Sequence, residues 1–191
     1  MSAGALLAAA MSRLGQAPPL RDELALANLV ERLGSARSRG YLTTEEFLEI
    51  GVHKSRQRVH FLRLNTAAEI KCVTRLAFSD EVTDEVVRIR LLSSLHGVRL
   101  PRASAILAWV FPERWPVIDR RAWTTLNHLR LVDTAKVLPR FASKSTMVLD
   151  APQWSRYVDI VLDAAKRLSL RPLDVDRWLY ACDLPENKGF L

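Results

Sequence analysis

The sequence has very little cysteine: Cys72 and Cys182 are the only two among its 191 residues. Two cysteines are too few for a disulfide framework, and they cannot form a zinc or iron–sulfur site that needs four thiolates. Cysteine usage this low fits a reducing compartment. We therefore expect a cytoplasmic protein that is held together by a hydrophobic core and not by crosslinks.

Long apolar runs are also missing. The most apolar stretch near the N-terminus, residues 3–11, follows no basic residue and is too short to cross a bilayer. We expect a first helix there, no signal peptide and no membrane partner. With 49% hydrophobic and 26% charged residues, the composition is that of a soluble globular protein. We predict one helical domain over residues 1–191, with two small lobes around a cleft as an alternative.

Negative charge is in deficit, because 21 acidic residues face 28 basic ones and leave a net charge of +7. Lysine is scarce as well, so 22 of the 28 basic residues are arginine. A positive excess favours a polyanionic partner, and arginine suits bidentate contacts with phosphate. A bias in genomic base composition explains the arginine content equally well, so charge alone does not identify the partner.

Helical spacing of apolar residues dominates the chain, and no convincing alternating strand is present, so the predicted fold class is all-α. Capping boxes open two helices, at Thr43 with Glu46 and at Thr66 with Glu69. Thr83 is predicted to cap a third. Further predicted elements are helices over 20–33, 152–168 and 172–182, a basic loop over 34–40, and loop or short helix over 131–150.

The most informative segment is a predicted helix, tight turn and helix at about 84–111, followed by a third helix that begins at Asp119. Gly97 and Val98 lie in the turn, and Pro101 fits the first turn of the second helix. Glycine allows close backbone approach, and free N–H groups at a helix start attract anions. The segment predicts a sequence-independent phosphate grip, with an ordinary glycine-capped corner as the alternative.

Residues 95–119 resemble the helix-hairpin-helix DNA glycosylase superfamily, which includes endonuclease III and the 3-methyladenine glycosylases. The matching positions are Leu95, Gly97, Val98, Ala103, residues 106–108, Ile118 and Asp119, and the 22-residue distance from Gly97 to Asp119 agrees with the endonuclease III pattern. The chain departs from that pattern at three positions: His96 replaces a proline, Arg99 replaces the second glycine, and Pro101 stands where bifunctional members carry the Schiff-base lysine.

The resemblance implies a monofunctional DNA glycosylase, which extrudes a damaged or modified base from double-stranded DNA and hydrolyses its N-glycosidic bond. Pro101 offers no amine, so no strand cleavage is expected. Asp119 would stabilise positive charge on the sugar or activate water; the alternative is that it only caps a helix. We expect a monomer without metal or cofactor, apart from a monovalent cation that the hairpin could hold.

Two sets of binding residues are predicted. The candidate contacts with the DNA backbone are Gly97, Val98, Arg99, Arg102, Arg120 and Arg121. An extruded base needs aromatic walls and polar readers, for which the candidates are Trp123, Lys54, Arg56, Trp109 and Trp178. Trp123 has the strongest claim because it follows Asp119 by one helical turn. Most aromatic residues at helical spacing belong to a core, so we expect three of Trp109, Trp115, Trp123, Trp178 and Tyr180 to be structural. The basic cluster of Lys54, Arg56 and Arg58 contacts DNA or the target base in one interpretation and is a solvated loop in the other.

Two other functions stay open at this point. One is a helix-hairpin-helix protein that binds DNA without catalysis, and the other is a helical interaction protein with no nucleic-acid role. The target base is not encoded in any motif. Excision of alkylated or oxidised bases in DNA repair, and attack on hypermodified bases in phage defence, both fit the same scaffold.

Overall fold

A computed structural model describes residues 1–16, 20, 22–132, 137–140, 144–147, 149–184 and 187. Within this part of the chain the structure is dominated by helices, which confirms the predicted all-α class. The helices are α1 (Ala3–Leu14), α2 (Glu23–Arg32), α3 (Gly34–Arg39), α4 (Thr44–Lys54), α5 (Val59–Leu62), α6 (Ala67–Phe78), α7 (Glu85–Ser93), α8 (Leu100–Val110), α9 (Arg120–His128), α10 (Ala151–Leu168) and α11 (Pro172–Cys182). Two short strands, β1 (Val137–Arg140) and β2 (Lys144–Met147), lie between α9 and α10.

The chain forms two units, which we call the terminal unit and the central unit. The terminal unit comprises Met1–Leu20 and Ile118–Leu191, and the central unit comprises Arg21–Val117. The terminal unit therefore holds α1, α9, both strands, α10 and α11, whereas α2 to α8 belong to the central unit. The predicted hairpin and the predicted catalytic aspartate fall in different units.

The terminal unit is built around α10, which packs against α1 and α11. Trp154 and Tyr157 of α10 are fully buried. The helix begins with a capping box, in which the Gln153 N–H donates to Oδ1 of Asp150 at 3.0 Å and the Asp150 N–H donates to Oε1 of Gln153 at 2.8 Å. Helix α9 packs on α11, where the Thr125 hydroxyl donates to the carbonyl of Leu179 at 2.8 Å.

The central unit is built around α8, whose residues 103–110 are all buried. A helix that is apolar on every side has to be surrounded by protein. Helices α2, α3, α4 and α7 pack against it. Arg37 of α3 reaches the end of α8 and donates to the carbonyl of Val110 at 2.6 Å, which satisfies one of the carbonyls that a helix end leaves unpaired.

Most predicted helix starts are confirmed by their caps. Both capping boxes, Thr43 with Glu46 and Thr66 with Glu69, are present. The predicted cap at Thr83 is wrong, because Asp84 caps α7. Its carboxylate accepts from the N–H groups of Val86 at 2.7 Å and Val87 at 3.3 Å. Aspartate is a strong N-cap, and its charge also suits the positive end of a helix.

Two predicted loops contain regular structure. Residues 34–39 form α3, and Gly40 follows as its C-cap with φ at +80°, so this glycine terminates a helix. In residues 131–150, strands β1 and β2 pair antiparallel, with Val137 opposite Met147 and Arg140 opposite Lys144. Strands of four residues are too short to show a clear alternating pattern in the sequence.

None of the helices in the described part of the chain combines the length and the apolar character that a membrane crossing requires.

Candidate functional site: a helical hairpin and a capping aspartate

The predicted hairpin is present in the central unit, where residues 94–99 join α7 to α8. Gly97 has φ at +75°, a conformation that side chains with a Cβ rarely adopt. A Cβ at this position would lie 2.9 Å from Cβ of Phe61 and 3.1 Å from the backbone nitrogen of Leu62. Glycine is therefore required twice, by the turn itself and by the close approach of α5.

Asn65 fixes the hairpin from the side. Its Oδ1 accepts from the His96 N–H at 2.7 Å, and its Nδ2 donates to the carbonyls of His96 at 3.0 Å and Leu62 at 2.9 Å. Asn65 is not the cap of α6, because the neighbouring Thr66 fills that role. An asparagine beside a cap that is already supplied is the signal that could have pointed to this second role.

Arg102, predicted to contact phosphate, has a different set of partners. Its guanidinium donates to the carbonyls of Gly97 at 2.8 Å, Ser55 at 2.9 Å and Gln57 at 2.5 Å. Burial lowers the pKa of Arg102 below its ordinary value. The side chain thus ties the hairpin to the loop after α4, a role that sequence reasoning missed because the acceptors are backbone atoms.

Backbone N–H groups at the start of α8 are available to bind an anion. The N–H of Val98, one of the predicted contacts, closes the turn onto the carbonyl of Leu95 at 3.1 Å. Within the described residues, the N–H groups of Gly97, Arg99 and Leu100 donate to no backbone carbonyl. Three free donors at the positive end of a helix of eleven residues suit a phosphate oxygen.

Asp119 lies in the terminal unit as the N-cap of α9, as predicted. Its Oδ1 accepts from the Ala122 N–H at 3.1 Å, and its backbone is extended. The residue is half-buried, so its carboxylate is held in place without being sealed from solvent. The positive end of α9 stabilises negative charge at this point.

A buried acidic pair adjoins Asp119. The Tyr157 hydroxyl of α10 donates to Oδ1 of Asp176 of α11 at 2.5 Å, and both side chains are buried. Burial raises the pKa of Tyr157 well above its ordinary value, and the charges of Asp176 and Asp119 add to the shift. Tyr157 and Asp176 lie on different helices, 19 residues apart in the chain, so the pairing leaves no pattern in the sequence.

The two arginines that follow Asp119 differ in their surroundings. Arg120 is exposed. Arg121 donates to the carbonyl of Asp183 at 2.5 Å and lies 3.7 Å from its carboxylate, so this guanidinium is already partly neutralised within the terminal unit. Of the two predicted phosphate contacts, Arg120 is therefore the more accessible to solvent.

The tryptophans predicted to wall a base pocket are all buried. Trp123 and Trp178 of the terminal unit are 2% and 3% exposed, and Trp109 of the central unit is 4% exposed. The Trp178 indole donates to the carbonyl of Gly15 at 3.0 Å, and Trp109 contacts the ring of His53 edge-on, with centroids 5.2 Å apart. A base can stack on these indoles only after neighbouring side chains move.

The basic cluster after α4 borders a groove of the central unit. Arg56 lines a pocket of about 540 Å³ together with Asp22, Glu49, His53 and apolar side chains of α2 and α4. Lys54 is half-buried at the end of α4. Desolvation lowers the pKa of His53 below its ordinary value, although the charges of Asp22 and Glu49 oppose the shift.

No group of three or more His, Cys, Asp or Glu side chains among the described residues is arranged to hold a metal ion. Comparisons with protein families, with curated proteins and with solved structures find no match to this chain.

Proposed function

We propose that the protein is a monofunctional DNA glycosylase, which hydrolyses the N-glycosidic bond of a damaged or modified base in double-stranded DNA. The observation that carries the proposal is the placement of Asp119, whose carboxylate is fixed by an N-cap hydrogen bond yet remains half-buried. The distance of 22 residues from Gly97, which has the positive φ of a tight hairpin, agrees with the glycosylase pattern. A cytoplasmic enzyme acting as a monomer fits this role.

The hairpin supplies the grip on DNA. The N–H groups of Gly97, Arg99 and Leu100 bind a phosphate oxygen, and the exposed Arg99 guanidinium adds a charge. Such contacts fix the position of the protein on the duplex without reading its sequence. Asn65 and Arg102 hold the hairpin in its binding conformation before DNA arrives, which reduces the entropy lost on binding.

Asp119 supplies the chemistry. As the bond between C1′ and the base nitrogen breaks, the bonding pair leaves with the base and positive charge develops on the sugar. The carboxylate stabilises that charge and accepts a proton from the water that attacks C1′. Asp119 then gives this proton up to solvent, and a base that has left as an anion takes up a proton from solvent, so the products are the free base and an abasic site. Pro101 in the first turn of α8 provides no amine, so the strand is not cleaved.

The substitution that tests this role is Asp119→Asn. Asparagine caps helices about as well as aspartate, so this change removes the charge and keeps the cap. We expect base release to be lost, while DNA affinity and the unfolding midpoint stay close to those of the wild type. Asp150→Asn is the matched control, because Asp150 caps α10 with the same geometry, accepting from the N–H of the third residue along.

Wild-type protein and both variants are incubated with duplexes that each carry one alkylated, oxidised or phage-type hypermodified base, and abasic sites are scored by alkaline cleavage. Release by the wild type and by Asp150→Asn, with none by Asp119→Asn, supports the proposal and identifies the base. Equal release by all three proteins rules out the role of Asp119.

A second candidate is a DNA-binding protein without catalysis. The burial of Trp109, Trp123 and Trp178 favours it, because no tryptophan among these three presents an open face to a base. This candidate predicts salt-sensitive duplex binding with no abasic product from any substrate of the panel. Base release by the wild type that depends on Asp119 excludes it.

A further inference from the structure

The central unit carries an arginine surface, of which only Arg99 belongs to the segment that resembles the glycosylases. We define it by three exposed residues, Arg58 and Arg63 at the two ends of α5 and Arg99 in the hairpin. No acidic residue occurs in residues 54–68 or in residues 86–112, which contain the whole surface. The positive charge of these two segments is therefore not neutralised by acidic residues within them.

Ion pairing sets these three arginines apart from others in the protein. Arg32, Arg39, Arg114, Arg167 and Arg171 each lie within 2.8 Å or less of a carboxylate oxygen. In the described part of the chain, Arg58, Arg63 and Arg99 form no such pair. Exposed guanidinium groups without a carboxylate partner are free to bind an external anion.

Three links hold the parts of the surface together. Cα of Gly97 packs against Phe61 and Leu62 of α5 so closely that a Cβ would not fit. Asn65 bonds the backbone of His96 to that of Leu62, and Arg102 joins Gly97 to the loop before α5. The arginines at the ends of α5 therefore keep a fixed position relative to the N–H groups of the hairpin.

We propose that Arg58, Arg63 and Arg99 bind the phosphate backbone of duplex DNA and extend the hairpin grip into a continuous contact along α5. The inference rests on the proposed function for its partner, and it assigns the binding energy to the central unit. The contact is electrostatic and independent of sequence, so each guanidinium releases counterions from the duplex when it binds.

The double variant Arg58→Gln/Arg63→Gln tests the proposal. Glutamine keeps a long polar side chain and removes the charge. The matched control is Arg13→Gln/Arg75→Gln, which removes the same charge from exposed positions of α1 and α6 that are not among the three residues defining the surface. Fluorescence anisotropy with a short duplex of unmodified bases gives the dissociation constant over a series of salt concentrations, and thermal melting checks that both variants fold.

A plot of log affinity against log salt has a slope of about −0.9 for each phosphate contact. We expect the slope of the double variant to become less steep by about 2, with weaker binding to every duplex sequence, while the control keeps the wild-type slope. Equal slopes for the two variants overturn the proposal. So does wild-type binding to single-stranded RNA or to vesicles of anionic lipid that is tighter than binding to duplex DNA and is weakened only by the surface variant.

The outcome is separable from that of the glycosylase proposal. Duplex binding that depends on Arg58 and Arg63, without any base release, supports the proposed arginine surface and contradicts the proposed glycosylase activity. The opposite result is base release that depends on Asp119 but is unaffected by the double variant, measured at salt concentrations where binding limits the rate. It supports the proposed glycosylase activity and contradicts the proposed arginine surface.

Discussion

The Tyr157 hydroxyl donates a hydrogen bond to Oδ1 of Asp176 at 2.5 Å, and this contact joins α10 to α11 in the interior of the terminal unit. Neither residue is accessible enough to exchange this bond for one to water. The pair therefore affects both the stability of the unit and the charge distribution next to Asp119, whose carboxylate also acts on Tyr157.

The variant Tyr157→Phe removes the donor and keeps the ring. A hydrogen bond to a charged group contributes about 1.5–3 kcal/mol, so we expect the free energy of unfolding to fall by about that amount. Urea denaturation followed by circular dichroism gives the value. Tyr180→Phe is the control, since the Tyr180 ring lies on the same helix as Asp176 and contacts Arg121 through its face; an equal loss in both variants would show that the contact contributes nothing.

Alkaline pH should destabilise the protein through Tyr157. Because burial raises the pKa of this phenol above 10.0, the unfolded state loses its proton first as the pH rises, and the folded state is then disfavoured. The contribution of Tyr157 to the free energy of unfolding is complete at a pH below the pKa that this phenol has in the unfolded state. Above that pKa the contribution falls by about 1.4 kcal/mol per pH unit. Urea midpoints of wild type and Tyr157→Phe should converge as the pH rises above 10; a constant difference between them would contradict the assignment.

The hairpin should not tolerate a side chain at Gly97. In Gly97→Ala the positive φ costs about 1–2 kcal/mol, and the contacts with Phe61 and Leu62 add to it. Gly40→Ala isolates the first effect, because Gly40 has φ at +80° and open space around its Cβ position. We expect a clearly larger loss of stability at Gly97, measured by urea denaturation, together with weaker duplex binding. Equal losses at the two positions would show that α5 yields to the added methyl group.

The two cysteines should differ in reactivity. Cys72 is exposed on α6, whereas burial raises the pKa of the Cys182 thiol to about 12. Alkylating reagents attack the thiolate, so at about pH 8 the folded protein should be modified at Cys72 alone. Peptide mass spectrometry after a short exposure to iodoacetamide locates the label, and the same reaction in urea should modify both residues. Labelling of Cys182 in the folded state would contradict its burial.

Much of the local structure could be predicted from the sequence. The capping boxes at Thr43 and Thr66, the turn at Gly97 and the cap at Asp119 involve residues close together in the chain, so their hydrogen bonds depend on local geometry alone. Errors occurred where two local signals compete. Thr83 and Asp84 both suit an N-cap, and the structure uses Asp84.

The candidate site was less predictable. The roles of Arg102 and Asn65 in holding the hairpin depend on backbone acceptors 45 to 47 and 31 residues away, which leave no pattern in the sequence. The predicted tryptophan walls proved to be buried, because an aromatic residue at helical spacing looks the same whether it faces a pocket or a core.

The sequence by itself determined the all-α class, most helix starts, the glycine turn and the aspartate that follows it. These features depend on residue spacing and on contacts within a few residues. Only the tertiary structure decided that Arg102 donates to backbone carbonyls and that Tyr157 donates to Asp176. It also decided that α5, with Arg58 and Arg63 at its ends, packs against the hairpin. Such contacts join segments distant in the chain, and they form only when buried surfaces pack together.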